Sequence, residues 1–418
     1  MSDNTDPLLA RLTSLHPRLM DLSLDRLRGL LAKLGNPERR LPPIVHVAGT
    51  NGKGSCCAFL RAIGEEAGWK VHVFTSPHLV RFNERFRVAG NIVSDAVLNA
   101  TMAHIEAVNA GEPITLFEVI TAAAFQMFAA EPADLCVLEV GLGGRGDATN
   151  VIPPPAATAI TSISLDHKEL LGDTLAAIAG EKAGIMKAGV PVVIGAQTRE
   201  VTEVLLAHAA RVNAAVALRG RDWSIEPGRY TDPGLSLALP SLGLAGLHQW
   251  DNAGIAIAAL RASGLAVPAS AFQAGVTNAE WPARLQRLHG RLATIVPPAW
   301  ELWLDGGHNP GAAEALSEHL RGWADWPVHV IVGLNQAKDG AGFLRPLIPH
   351  ATTLWAIAEP GQHAAMPVED VVIASGGVAR VGPTLIDALL GLPRNGAPAR
   401  VLICGSLYLA GEILKANG

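Results

Sequence analysis

Cysteine is scarce in this sequence: Cys56, Cys57, Cys136 and Cys404 are the only four in 418 residues. They are too few and too scattered for a disulfide framework or a zinc site, and read as small core residues of a reducing compartment, the cytoplasm. Excess charge is scarce too. The formal net charge is -5 at pH 7, which argues against a nucleic-acid partner held by bulk electrostatics. No apolar run reaches the roughly 18 residues that a membrane-spanning helix needs, so no membrane association is expected. Met1 to Asp6 carries two acidic residues and no apolar segment, so no secretory leader is expected. Internal repeats and low-complexity tracts are also lacking. What is present is apolar: 49% hydrophobic against 17% charged residues, in a length that accommodates two or three domains.

The most informative segment runs from Val45 to Ser55. Ile44 to Val47 reads as a buried strand, Gly49-Thr50-Asn51-Gly52-Lys53-Gly54-Ser55 as a tight glycine turn, and Cys56 to Ala67 as a helix. Such a layout is a phosphate cradle. Glycines let backbone N–H groups turn inward, a helix N-terminus adds partial positive charge, and Lys53 supplies a full one. A nucleoside triphosphate is the expected ligand. The loop departs from the ordinary pattern, with Val47 in place of its first glycine and Gly54 in place of the hydroxyl after the lysine. A hydroxyl for Mg²⁺ must therefore come from Ser55 or from elsewhere.

Asp21 to Leu34 has the spacing of an amphipathic helix, with Leu24, Leu27, Leu30, Leu31 and Leu34 on one face and Gly35 and Pro37 ending it. Further strands are expected at Lys70–Phe74, Leu135–Val140, Ala157–Ile163 and Pro191–Gly195, with helices at Ser94–Asn109, Thr115–Ala130 and Thr174–Lys187. Alternation of this kind predicts an α/β fold with a parallel sheet covered on both faces. Asp222 to Pro240 reads as short antiparallel strands, Asp251 to Ser263 as an alanine-rich helix, and proline-broken Trp281 to Pro298 as a linker. Beyond it, strands at Glu301–Leu304, Val328–Val332, Thr353–Ile357 and Val401–Cys404 predict a second, smaller Rossmann-like α/β domain. The expected domains are 1–290 and 291–418.

Several polar groups fall where an open α/β sheet binds ligands, at the carboxyl ends of strands. Glu139 ends one strand beside the phosphate loop, a place for a Mg²⁺ ligand or a water-orienting acid. Asp166-His167 follows the next strand, and His167 reads equally as a ligand or as a structural histidine. Gly141 to Gly146 matches the dinucleotide fingerprint in form, but it runs into Asp147-Ala148-Thr149-Asn150 and Pro153-Pro154-Pro155 rather than opening a helix. A loop lining the active cleft is expected instead. Lys182, in Glu181-Lys182-Ala183-Gly184, reads from pattern alone as surface charge on an apolar helix. Thr115-Leu116-Phe117-Glu118 opens a helix, and two readings of it stand: a capping turn with a buried aromatic, or a pocket wall where Phe117 stacks on a flat ligand. Asp305-Gly306-Gly307-His308-Asn309-Pro310 forms a polar cluster after a strand of the smaller domain.

Taken in order, these segments resemble the Mur ligase superfamily, and more closely its bacterial folylpolyglutamate synthase and dihydrofolate synthase branch. The resemblance rests on the phosphate loop, Thr75-Ser76-Pro77-His78-Leu79, Phe117-Glu118, Glu139 to Asn150, Asp166-His167 and Glu181 to Ile185. It continues through His248-Gln249 with Asn252, Asp305 to Pro310, and Gly405-Ser406-Leu407-Tyr408. Ala283 departs from it, standing where the family usually has glycine.

The resemblance implies that Lys53 and the loop Gly49 to Ser55 hold ATP, with Asn252, Arg284, Asp305 and His308 as further nucleotide contacts. It implies that Ser76, Glu139 and His167 ligate Mg²⁺, and that Lys182 is carbamylated. Lys53, Glu139, His167 and Lys182 are then the catalytic set. Ser76, Pro77, His78, Phe117, Glu118, Arg145 and Asp147 are implied to line the substrate pocket. The implied reaction joins L-glutamate to dihydropteroate and to reduced folates through an acyl phosphate, in a cytoplasmic monomer. Two alternatives stand: a synthase acting on reduced folates alone, and a peptidoglycan-precursor ligase. Only about 40 residues precede the phosphate loop, which argues against the latter's extra N-terminal domain.

Overall fold

The computed structural model describes residues 12–13, 23–394 and 396–418. They divide into two compact units. The larger holds the described residues up to Gly243 together with Gln249–Glu280; the smaller holds Leu244–His248 and Trp281–Gly418.

Eight strands form the sheet of the larger unit: β1 (Ile44–Ala48), β2 (Val71–Phe74), β3 (Phe86–Val88), β4 (Asn91–Ile92), β5 (Leu135–Glu139), β6 (Ala157–Ile160), β7 (Val192–Ile194) and β8 (Val216–Leu218). Their order is β4-β3-β2-β5-β1-β6-β7-β8. Neighbours from β2 to β8 are parallel, and β3 and β4 add an antiparallel edge. β1, β2, β5, β6 and β7 are buried along their whole length. Strands covered on both faces carry no polar alternation, which is why they read as continuous apolar runs.

Two hydrophobic clusters lie side by side on one face of the sheet, as the strand registers place Phe74, Leu138, Ala48, Ile160 and Ile194 on the same side. One gathers helices Asp25–Lys33, Asp95–Asn109 and Leu116–Ala130 around Phe74, Cys136 and Leu138. The other gathers helices Leu175–Ala183 and Arg199–Arg211 around Ala48, Ile160 and Ile194. The amphipathic segment expected from Asp21 is a helix from Asp25, with Leu27, Leu30 and Leu31 buried; Asp21 itself lies outside the described residues. The antiparallel strands expected between Asp222 and Pro240 are β9 (Ser224–Glu226), β10 (Gly228–Asp232) and β11 (Leu235–Leu239).

What positions the site is the place of β1. It lies between β5 and β6, with Val47 beside Glu139. The chain leaves β1 through the helix Lys53–Glu66 and reaches β2 on the far side of β5, while β6 lies on the opposite side of β1. Strand order thus reverses at β1, and a crevice opens at the carboxyl ends there.

The smaller unit carries a six-stranded sheet of β12 (Gln286–Leu288), β13 (Glu301–Leu304), β14 (Val328–Val332), β15 (Thr353–Ala356), β16 (Arg380–Val381) and β17 (Arg400–Cys404), ordered β12-β13-β17-β14-β15-β16. All pairs are parallel except β12 with β13. Here the expected linker is corrected. Trp281 to Pro298 contains β12 and a 3-10 turn at Arg291–Thr294. Its prolines flank these elements rather than interrupt them, and the β12–β13 pairing draws residues ahead of the expected boundary at 290 into the smaller sheet.

Candidate active site

The helix after β1 begins at Lys53, three residues earlier than its apolar pattern suggests. Gly52 precedes it in the left-handed region at φ 90°, and no side chain caps the helix start. The first-turn amides of a helix lack intrahelical partners, so an uncapped start beside a lysine suits a phosphate. The loop is pinned from β6's side. Thr50 and Asn51 both donate backbone N–H groups to the Ser162 carbonyl, at 2.8 and 3.1 Å. Thr50 Oγ1 donates to the Ser164 carbonyl and accepts from the Ser164 amide, each at 3.1 Å. These contacts explain why β6 stops at Ile160 instead of running on to Ile163: the carbonyls beyond it turn to the loop.

Two loop glycines are required by close approach. A Cβ on Gly49, at φ 150°, would fall on Thr161 Oγ1, and one on Gly52 would fall on Asn252 Oδ1. Asn252, expected as a nucleotide contact, therefore lies directly against the phosphate loop. Lys53 donates to the Thr50 carbonyl at 3.2 Å. Ser55 is buried, and its Oγ has no hydrogen-bond partner among the described residues.

Glu139 is buried at the carboxyl end of β5, and its Oε2 accepts the Ser76 amide at 3.2 Å. The peptide between Ser76 and Pro77 is cis. The Ser76 backbone thus meets the Glu139 carboxylate, and that carboxylate together with the hydroxyl Ser76 carries are hard oxygen donors of the kind Mg²⁺ or Mn²⁺ takes. His167 stands apart from the expectation of a strand end. β6 finishes at Ile160, and His167 follows an intervening loop, exposed and left-handed at φ 51°. Its ring lies 3.9 Å from Asp166 and 3.7 Å from Glu169. Among the described residues, no three His, Cys, Asp or Glu side chains cluster as a ready-made metal site.

Lys182 corrects the surface reading that sequence pattern favours. It is 5% exposed, and its Nζ donates to the Gly49 carbonyl at 2.9 Å. Burial, and then the charge of Lys53, pull its pKa down to about 7, against the opposing pull of Asp166 and Asp147. A neutral amine is therefore well populated at physiological pH. The glycine-rich loop holds this lysine's backbone. A Cβ on Gly144 would strike the carbonyls of Glu181 and Lys182, and one on Gly184 would strike Arg145. The Arg145 amide donates to the Glu181 carbonyl at 2.9 Å, and Asn150 Nδ2 donates to the Gly184 carbonyl at 3.1 Å. The helix ends at Ala183, short of the expected Lys187, where the Gly184 and Ile185 amides turn back to the Glu181 and Lys182 carbonyls. The loop opens no regular α-helix, in line with the rejected dinucleotide reading.

Of the expected pocket residues, Asp147 is buried and used as a brace. It accepts from Leu142 N at 2.8 Å and from Thr149 N at 2.9 Å. Phe117 and Glu118 form the capping turn. Thr115 and Glu118 cap each other reciprocally, Glu118 pairs with Arg26 at 3.4 Å, and Phe117 packs on Phe74 and Gly141. His78 accepts from Arg85 Nε at 3.0 Å, and the Arg145 side chain is largely exposed beside Glu181.

In the smaller unit, Asp305 is buried and accepts from the amides of Leu285 and Gly307, at 2.9 and 2.7 Å. Arg284 donates to the Ala283 carbonyl at 2.8 Å, and His308 Nδ1 lies 3.1 Å from the Gly306 carbonyl. Ala283 sits at φ 56°, the left-handed region, so its family glycine has a backbone reason.

A family profile described as "Dihydrofolate synthetase, C-terminal domain" matches residues 290–416. The dihydrofolate synthase/folylpolyglutamate synthase of Bacillus subtilis is 35% identical, over 94% of this chain and 94% of that protein. The chain belongs to the dihydrofolate synthase/folylpolyglutamate synthase family. Solved members share its fold throughout. The Escherichia coli FolC structure with DHPP and ADP superposes with a TM-score of 0.88 at 31% identity, covering 100% of this chain and 99% of that one. A bifunctional folylpolyglutamate synthase/dihydrofolate synthase with Mn, AMPPNP and L-glutamate bound gives 0.85 at 31%, covering 99% of each. Sequence reasoning gave no role to two buried polar residues that touch each other, His46 of β1 and Thr149, whose contacts are described below. Both are wholly buried, and in sequence only His46 stands out, as a histidine inside the apolar run of β1.

Proposed function

We propose that this protein is an ATP-driven amide ligase that joins L-glutamate to dihydropteroate and to the glutamate tail of reduced folates. The observation that carries this reading is the phosphate loop at the end of β1, with Glu139 beside it and Lys182 bonded to Gly49. A substrate carboxylate oxygen takes the γ-phosphoryl group of ATP; the new O–P bond gives an acyl phosphate as the bond to the bridging oxygen breaks and ADP leaves. The glutamate amine attacks the acyl carbon; the C–N bond forms, the C–O bond to phosphate breaks, phosphate leaves and the nitrogen gives up a proton. The chain's part is positioning and charge neutralisation, by Lys53 and the amides at the start of its helix. Ser76, Glu139 and, by family resemblance, His167 would hold a divalent ion, which when bound neutralises phosphate charge.

Lys182 has a further assignment. Its neutral amine can add carbon dioxide: an N–C bond forms, a proton leaves, and an anionic carbamate takes the place of a buried cation. Both its depressed pKa and the proximity of Lys53 favour that exchange. Asn252, Arg284, Asp305 and His308 are assigned to the nucleotide. Ser76, Pro77, His78, Phe117, Glu118, Arg145 and Asp147 are assigned to the acceptor. A cytoplasmic monomer is the form proposed; among the described residues no helix is long and apolar enough to cross a membrane.

The test is phosphate release with Mg-ATP and L-glutamate, comparing dihydropteroate with tetrahydrofolate. Turnover with both is expected. Turnover with tetrahydrofolate alone would narrow the activity to polyglutamate synthesis, and no glutamate-dependent release with either would sink the folate reading.

A further inference from the structure

His46 is an anomaly in its own strand. β1 is buried throughout, and His46 is wholly buried within it. Its Nε2 lies 2.8 Å from Thr149 Oγ1, while its Nδ1 has no hydrogen-bond partner among the described residues. A valine or isoleucine would serve a core strand without an unsatisfied nitrogen, so the imidazole costs stability at this position.

The hydrogens can be placed. Burial raises the Asp147 pKa, while the hydrogen bonds it accepts from Thr149, Leu142 and Gly141 favour its carboxylate. Thr149 Oγ1 lies 2.5 Å from Asp147 Oδ1, and a carboxylate only accepts, so the Thr149 hydroxyl proton points to Asp147. Thr149 must then accept from His46, which fixes the proton on Nε2. Burial holds the ring neutral, with its pKa down to about 3, and nearby Lys187 acts the same way. Asp147 in turn holds the amide of Leu142, and its own amide donates to the Gly144 carbonyl at 3.2 Å. Gly144 rests on the backbone of Lys182, whose amine returns to Gly49, three residues along the chain from His46. The contacts close a ring.

We propose that His46 and Thr149 are positioning residues of the ligase reaction: through Asp147 and the glycine loop they set where Lys182 meets the phosphate loop. The inference rests on Lys182 acting in the reaction, as read above. It requires the Thr149 hydroxyl and the His46 donor, not their bulk.

The test compares shape with hydrogen bonding. Thr149→Val keeps the shape and loses the hydroxyl; Thr149→Ser does the reverse. His46→Leu loses the donor, and His46→Gln keeps one. The Val and Leu variants should lower kcat on the order of tenfold or more, with ADP affinity within about twofold, while Ser and Gln stay near the native rate. The double variant His46→Leu/Thr149→Val should be no slower than the worse single one, because linked residues act as a unit. Should Thr149→Val fail to fold, the His46→Leu and His46→Gln pair makes the same comparison. Equal rates for the hydroxyl and non-hydroxyl variants, or losses that track unfolding midpoints, overturn the proposal. Lys182→Met separates the two readings. A fully active Lys182→Met enzyme removes the role of Lys182 itself. An inactive one, beside a native-like Thr149→Val, removes only the role of the brace.

Discussion

Lys182 Nζ donates to the Gly49 carbonyl at 2.9 Å, so the first glycine of the phosphate loop is tied to a buried lysine from another crossover of the sheet. The bond joins two segments that sequence separates by more than a hundred residues, and it places a titratable amine next to the loop.

A pH dependence follows. In the unfolded chain the Lys182 amine keeps its ordinary pKa of 10.5; in the folded one burial, then Lys53, hold it at about 7. Between those values the unfolded chain carries a proton that the folded chain does not, so stability from this group rises with pH across the window and falls back as pH drops toward 7. Lys182→Met should flatten that rise. Urea unfolding at the two ends of the window, native against variant, measures it; an unchanged slope would show that the lysine titrates normally.

The steric demand at Gly52 predicts a nucleotide defect. Gly52→Ala places a methyl group on Asn252 Oδ1 and forces alanine to φ 90°. The backbone part alone should cost about 1–2 kcal/mol. ADP affinity, read by calorimetry, should fall about tenfold or more, since loop amides and Lys53 are displaced together. Adding Asn252→Ala relieves the collision but not the backbone strain. Stability should therefore recover in part, while nucleotide affinity should not.

Ala283 offers the opposite change. At φ 56° it carries a left-handed penalty of about 1 kcal/mol that glycine avoids, partly offset by glycine's greater freedom when unfolded. Ala283→Gly should leave stability unchanged or raise it by up to about 1 kcal/mol, and Ala283→Val should lower it. Denaturant midpoints at constant m-value decide the matter.

Phe117 can be assigned by separating stability from binding. It is 6% exposed and packs on Phe74 and Gly141, so Phe117→Ala should cost about 3–5 kcal/mol. Phe117→Leu keeps most of the volume. If the ring also walls the acceptor pocket, KM for the folate acceptor rises in Phe117→Leu while the thermal midpoint moves little. An unchanged KM leaves Phe117 to the core alone.

Most strands and several helices of the larger unit were legible because their signals are local. β1, β2, β5, β6 and β7 are short apolar runs, and Ser94 and Thr115 cap their helices through their own side chains. The phosphate loop was legible for the same reason. What stayed hidden was set by contacts between distant segments. β12 is three residues without apolar alternation, made a strand by its pairing with β13. Lys182 looks like surface charge until the loop from Gly141 folds over its helix end. His46 and Thr149 carry no motif spacing, and their meaning lies in a hydrogen bond across the fold.

Gly144 and Gly184 lie in separate segments, and each leaves no room for a side chain because the other segment's backbone is there. Neither position can be relieved by a change at the other. A loop transplanted from a relative would therefore have to bring its own Glu181 to Gly184 stretch, and directed evolution of this enzyme should treat the two segments as a single inherited cassette.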